Sequence, residues 1–278
     1  MNSLFTLMRA LGSHARALGS HARSLRCNVY DTVDSTNDLA KARAKDDEPA
    51  LYVARAQTGG RGRLGRSFHS PADTGLYMTV AYTTDRPLTE AVRVTAAASV
   101  AAVAAIEAVT EKKTSIKWVN DLYYHGCKVG GILTEAVTRP DGKHRIVVGL
   151  GINLSTTDFP DDLRAPATSL FSLSEAYAVT DYLIYTLAGD IARRLLELVE
   201  VFPPDPAFPD GARGKACLDF YRRHLLYVDK PVTYTRGEET FEGILRGVDE
   251  DYSLLVERNG ETVTLSSGEI SVRPVKKA

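Results

Sequence analysis

The chain has 278 residues, 44% hydrophobic and 25% charged, an ordinary globular composition with room for one large domain and one small one. Its 34 basic residues nearly balance 35 acidic ones, a formal net charge of -1, which argues against a general nucleic-acid or membrane-surface binder because neither would find a broad electrostatic footprint. Cys27, Cys127 and Cys217 are odd in number and far apart, so neither a disulfide framework nor a metal-ligand spacing is visible, and a reducing, cytoplasmic setting fits best.

The first residues carry Arg9, Arg16, Arg23 and Arg26 with no acid, and they hold a tandem heptad, ALGSHAR twice, from Ala10 to Arg23. Leu11, Ala15, Leu18, Ala22 and Leu25 could share a helical face as in an organellar presequence, but Gly12 and Gly19 weaken any helix, and residues 1–26 are read as a loosely ordered extension. A strand is expected from Val29. It leads into DSTNDLAKARAK, where Ser35, Thr36 or Asn37 can cap a helix running to about Lys45. LYVARAQ and GLYMTVAYTT read as strands, and TEAVRVTAAASVAAVAAIEAVT as a long alanine-rich helix. Its thirteen uncharged residues Val94 to Ile106 fall short of transmembrane length and read as core.

Next come SIKWVND, LYYHG, CKVGGILTEAV and HRIVVGLGINL, β-rich runs separated by Asn-Asp, His-Gly and Asp-Gly turn signals. They imply an antiparallel or mixed sheet backed by helices. Tyr182 to Val201 reads as a helix, VFPPDPAFPDG as a rigid proline loop, and GKACLDFYRRHLL as a third helix. After a boundary near Leu226 the pattern is purely β, with Asn259-Gly260 a strong hairpin signal, and suggests a small closed barrel. The expected domains are therefore 27–225 and 226–278.

The stretch QTGGRGRLGRSF, Gln57 to Phe68, holds four glycines and three arginines. Glycine excludes a stable helix or central strand there, so it is a loop whose backbone can approach a ligand closely. Arg61, Arg63 and Arg66 offer forked donors suited to phosphate or carboxylate. A solvated surface loop and an arginine-glycine nucleic-acid contact are the alternatives. Lys128, followed by Gly130 and Gly131, is a cation on a strand against which a ligand can lie. Ser-Thr-Asn at 35–37 suits a helix cap as well as a ligand contact, and Trp118 suits packing as well as a ligand. Cys127 reads as a hairpin thiol, and the six histidines form no zinc cluster.

Four motifs in order, DSTN at Asp34 to Asn37, QTGGRGRLGR at Gln57 to Arg66, KWVND with CKVGGIL at Lys117 to Leu133, and GLGIN at Gly149 to Asn153, resemble the biotin protein ligases of the monofunctional type. The resemblance spans 29 to about 170, and more weakly the barrel, including GEISVRP. It implies an α+β fold, a mixed sheet backed by helices of the class II synthetase-like biotin and lipoate ligase type, followed by an SH3-like barrel. It also implies activation of biotin by ATP to biotinyl-5'-AMP and transfer to a lysine of a biotin carboxyl carrier domain.

By resemblance, Lys128 and Arg63 are catalytic. Biotin would be bound by Ser35, Thr36, Asn37, Gln57, Arg61, Gly62, Arg63, Lys128 and Gly131. ATP would be bound by Arg63, Arg66, Asn120, Asp121 and Asn153, with Asp121 taking magnesium. No zinc, flavin or haem is implied, nor a nucleic-acid or membrane partner, and a homodimer is left open. Two positions depart from the family: Val119 stands where it usually has proline, and Phe68 where it often has tryptophan. The competing readings are a lipoate or octanoate ligase, a biotin-responsive repressor, for which about 28 residues before the first strand are too few for a helix-turn-helix module, and a non-catalytic biotin-binding module.

Overall fold

A computed structural model describes residues 25–163, 165–200, 212–236, 239–266 and 271–274. The N-terminal heptad repeat, the proline loop after Val201 and the start of GEISVRP lie outside the described residues. In chain order the first domain comprises β1 (Arg26–Val33), α1 (Thr36–Ala42), β2 (Ala50–Gln57), β3 (Gly75–Thr84), α2 (Ala91–Thr110), β4 (Ser115–Lys117), β5 (Asp121–Tyr124), β6 (Cys127–Thr138), β7 (His144–Asn153), α3 (Asp181–Glu200) and α4 (Ala212–His224). β8 (Pro231–Arg236), β9 (Glu239–Val248), β10 (Leu254–Arg258), β11 (Glu261–Leu265) and β12 (Ser271–Pro274) follow.

The first seven strands form one sheet in the order β1-β2-β3-β7-β6-β5-β4, with β1 and β2 parallel and the other neighbours antiparallel. Alternation sorts its residues onto two faces. Along β2, Leu51 and Val53 join the large core while Ala50 and Tyr52 join a smaller one; along β7, Ile146, Val148 and Leu150 oppose Val147 in the same way. The large core lies under α2 and α3, and the smaller one under α1. With the turn before it, α2 extends over Leu88–Thr110, long and apolar enough by length and composition to cross a membrane, yet most of it is buried against the sheet and α3. Here it is the core helix that its small side chains imply.

Two of the hairpins signalled by glycine have left-handed residues at their two central positions, His125 (φ 47°) with Gly126 (φ 78°) and Asn259 (φ 54°) with Gly260 (φ 80°), as two-residue loops of primed type require. The C-terminal module is a five-stranded antiparallel sheet in the order β11-β10-β9-β8-β12, interrupted by a register shift at Leu255/Val256. It is tied back to the first domain: the Trp118 indole donates to the carbonyl of Tyr252 at 2.7 Å, and the Tyr252 ring packs edge-on against Tyr221 of α4. α1 is shorter than its alanine and lysine content suggests. It ends at Ala42, and the chain turns through residues 43–45 before β2.

Candidate functional site

The site lies on the α1 face of the large sheet and is shaped by two transverse rows of residues. Thr79, Gly149 and Leu133 pair across β3, β7 and β6, and Tyr77, Gly151, Gly131 and Asp121 form the next row, extending into β5. Two adjacent glycines in the second row leave a trough between Tyr77 and Asp121. A Cβ on Gly151 would come within 2.4 Å of the Phe68 ring, and one on Gly131 would lie 3.4 Å from Lys128 Nζ, so the loop aromatic and the strand lysine occupy the room these glycines leave. A Cβ on Gly149 would lie 2.2 Å from Asn37 Oδ1, which shows how closely α1 approaches the sheet. Between these groups is a narrow cavity of about 50 Å³.

One wall comes from the start of α1 and the end of β2. Gln57 Oε1 accepts from the Thr36 backbone N–H at 2.9 Å and from the Thr36 hydroxyl at 3.2 Å, while its Nε2 donates to Ser70 Oγ at 3.1 Å. One amide hydrogen of Gln57 is left for a ligand. The Asn37 amide is fully engaged as a donor: Nδ2 lies 2.8 Å from Glu135 Oε2 and 3.5 Å from the Leu133 carbonyl, and Oδ1 faces the Thr79 hydroxyl at 2.6 Å. Asn37 is therefore an orienting wall that can offer a ligand no donor. Ser35 occupies the N-cap position of α1 in extended backbone, but its side chain makes no capping hydrogen bond; it is buried on the cavity wall, free to donate and accept. The cap reading of Ser35 holds for its backbone alone.

The opposite wall is charged. Lys128 Nζ lies 2.6 Å from Asp121 Oδ1, and Arg63 Nη1 donates to Asn120 Oδ1 at 3.1 Å, with Asn120 itself held by the Ile132 carbonyl at 3.0 Å. Burial pushes the Arg63 guanidinium below its ordinary range; the nearby Asp121 carboxylate opposes that shift and Arg66 adds to it. Arg61, Gly62, Arg63 and Phe68 bring the loop onto the cavity, and Gly62 N–H closes a turn on the Arg66 carbonyl at 2.7 Å. From behind, the Val119 carbonyl accepts from Ser99 Oγ at 3.1 Å and from the Tyr221 hydroxyl at 3.4 Å, which fixes the turn that delivers Asn120 and Asp121.

Ser35, Thr36, Asn37, Gln57, Arg61, Gly62, Arg63, Asn120, Lys128 and Gly131 thus meet at one cavity, with Asp121 behind Lys128. Arg66 and Asn153 do not line it. Arg66 is exposed, and Asn153 is buried at the end of β7 with Nδ2 bonded to the Thr168 carbonyl at 3.1 Å. Trp118 serves packing between the two domains. Thr79, Glu135 and the α1 pair Asp38 and Lys41 complete the site and are absent from the sequence-derived set. The signal for Thr79 was a polar residue in the middle of an apolar strand; for Glu135 it was a two-residue spacing that places it on the face of Gly131 and Leu133. Among the described residues no group of three or more His, Cys, Asp or Glu could hold a metal ion. A magnesium ion here would depend on Asp121 together with substrate phosphate oxygens, an arrangement this ion commonly takes.

Residues 29–153 match the Biotin/lipoate A/B protein ligase family, and residues 227–273 match the Biotin protein ligase C terminal domain. The chain thus carries a domain of this ligase family followed by the C-terminal domain of the biotin protein ligases. It is 40% identical over 148 residues to the bifunctional ligase/repressor BirA of Bacillus spizizenii, covering 52% of this chain and 46% of that protein. It spans less than half the length of this relative and of its Bacillus subtilis counterpart, 46% and 45%. The biotin--[acetyl-CoA-carboxylase] ligase of Mycobacterium tuberculosis is 28% identical over 250 residues, 87% of each chain. The fold superposes on a biotin protein ligase from Aquifex aeolicus in complex with biotin and ATP with a TM-score of 0.68 at 26% identity, covering 90% of this chain and 99% of that one.

Proposed function

We infer that this chain is an ATP-dependent biotin protein ligase: it joins biotin to AMP and passes the biotinyl group to a lysine of a biotin carboxyl carrier domain. The observation that carries the reading is the meeting of Lys128, Arg63 and Asn120 at one end of a glycine-floored trough, with uncommitted polar groups of Ser35 and Gln57 at the other. Ser35 can donate to a carbonyl or accept from an N–H, and Gln57 has one N–H to give, which suits a cyclic urea. The Phe68 ring lying over Gly151 gives the trough an apolar wall for the rest of a biotin-sized ligand.

In the first step a carboxylate oxygen of biotin attacks the α-phosphorus of ATP. The new bond joins acyl oxygen to phosphorus, and the bond to the β-phosphate oxygen breaks, releasing pyrophosphate. Lys128 reduces the repulsion between these two anions by exchanging Asp121 for the reacting oxygens. Magnesium, held by Asp121 and the phosphates, would neutralise charge on the leaving group. Arg63 and the glycine loop then exclude water from the mixed anhydride. In the second step the neutral amine of the carrier lysine attacks the acyl carbon; an amide forms, AMP leaves, and the amine loses a proton. The three cysteines are free, in keeping with a reducing, cytoplasmic compartment.

The test is incubation with ATP, magnesium and a carrier domain, with biotin in one reaction and lipoate in the other. Biotinylation of the carrier without lipoylation is expected. Lipoylation alone would assign the chain to the other branch of the family.

A further inference from the structure

We propose, resting on the biotin-ligase reading, that Glu135 is a positioning residue that joins the pocket wall to the arginine loop, one carboxylate oxygen fixing Asn37 and the other anchoring Arg61 through Lys41 and Asp38. Glu135 projects from β6 toward α1 and divides its two oxygens between two tasks. Oε2 accepts from Asn37 Nδ2 at 2.8 Å, and Oε1 accepts from Lys41 Nζ at 2.8 Å. Lys41 Nζ also lies 3.0 Å from Asp38 Oδ1, and the second oxygen of Asp38 takes Arg61 Nη2 at 2.8 Å and Nε at 3.0 Å. The result is a row of alternating charge, Glu135, Lys41, Asp38 and Arg61, running from the sheet over α1 to the loop.

The row has a consequence for both ends. At the pocket, Asn37 Oδ1 faces Thr79 and its amide lies against Gly149, so its orientation depends on having an acceptor at Glu135 Oε2. At the loop, Arg61 pairs with Ser67 across the base of the turn that carries Arg63, so a fixed Arg61 limits how far that turn can open. Each member stabilises the charged form of its neighbours. Burial opposes the charged forms of Lys41 and Asp38, yet Glu135 and Asp38 hold the Lys41 ammonium above its usual range, and Lys41 and Arg61 hold the Asp38 carboxyl below its own.

The two tasks separate by substitution. Glu135→Gln keeps an acceptor for Asn37 but removes the charge facing Lys41; Glu135→Ala removes both; Lys41→Met and Asp38→Asn interrupt only the row. Hydrogen exchange at the 59–68 amides of the unliganded protein reads the loop, and calorimetric titration with biotin reads the pocket. All four variants should exchange the loop amides roughly two- to fivefold faster, the range of a partly exposed ion pair. Glu135→Ala alone should weaken biotin binding by about tenfold or more, the weight of a hydrogen bond to a charged acceptor, while Glu135→Gln stays within about threefold of wild type. Unchanged loop exchange in Asp38→Asn and Lys41→Met, or equal loss of biotin affinity in Glu135→Gln and Glu135→Ala, overturns the proposal. If Glu135→Ala does not fold, Glu135→Gln and Asp38→Asn decide it. A wild-type protein that binds no biotin refutes the ligase reading instead, and the loop exchange, which needs no ligand, still decides whether the row holds the loop.

Discussion

Replacing Gly149 by alanine should be costly although it adds a single methyl group. The new Cβ would lie 2.2 Å from Asn37 Oδ1, 2.8 Å from its Cγ and 2.9 Å from its Nδ2, so the whole amide blocks it. A flexible side chain would swing aside, but Asn37 is 4% exposed and held by Thr79 at 2.6 Å and Glu135 at 2.8 Å. Moving it breaks one hydrogen bond to a carboxylate and one between neutral groups, together about 2 to 4 kcal/mol. Gly149→Ala should lower the unfolding free energy by that amount in urea titration, with little change in the slope. The cause can be isolated with Asn37→Ala/Gly149→Ala, which clears the clash; the double variant should be more stable than the sum of the single effects by more than about 1 kcal/mol. A Gly149→Ala protein within about 0.5 kcal/mol of wild type, or strict additivity in the cycle, would refute the close approach of α1 to β7.

Arg63→Gly removes the bond to Asn120 while keeping loop length; adenylate should still form but escape about ten- to hundredfold faster, seen as labelling of added serum albumin, whereas labelling confined to the carrier would return loop closure to Arg61. Trp118→Phe deletes the indole donor to the Tyr252 carbonyl and should cost about 1 kcal/mol in thermal or urea unfolding; no loss would separate the two domains energetically. Hydrogen bonds from the Ser172 backbone and hydroxyl, with Lys112, hold the Glu175 carboxyl at about 2 in place of its ordinary 4.5. Because the folded value is the lower one, its stabilisation is present above about 4.5 and lost as pH falls toward about 2. Glu175→Gln should therefore flatten the acid limb of stability in that window, and an unchanged limb would contradict the assignment.

The strands, the alanine-rich helix and the position of the arginine loop were legible because each rests on a local pattern: alternation, small apolar repetition, or glycine density. The charged end of the site was legible for the same reason, since Asn120, Asp121, Lys128 and Gly131 sit on one hairpin joined by a His-Gly turn. The trough was not. Its floor needs Gly151 of β7 beside Gly131 of β6, and a register between strands is a tertiary fact. Trp118 could not be assigned from its neighbours because its partner is the Tyr252 carbonyl in the other domain. Ser35 looked like a cap because its residue type and place suit one, yet its hydroxyl turns to the cavity wall. Arg66 shares the composition of Arg61 and Arg63, but the turn between Gly62 and Arg66 leaves it in solvent.

The central claim is that Lys128 serves the joining of biotin to a nucleotide, and biotin-dependent release of pyrophosphate from ATP measures it most directly. Lys128 is partly exposed and its ammonium pairs with Asp121 on the charged wall of the trough, so Lys128→Ala should fold with a melting temperature close to wild type. The wild-type chain should release pyrophosphate when biotin is added, and not when lipoate is added. Folded Lys128→Ala should release it at least about a hundredfold more slowly, the usual consequence of losing one electrostatic stabiliser. An undiminished rate in that folded variant, or release from wild type that does not depend on biotin, would contradict the account.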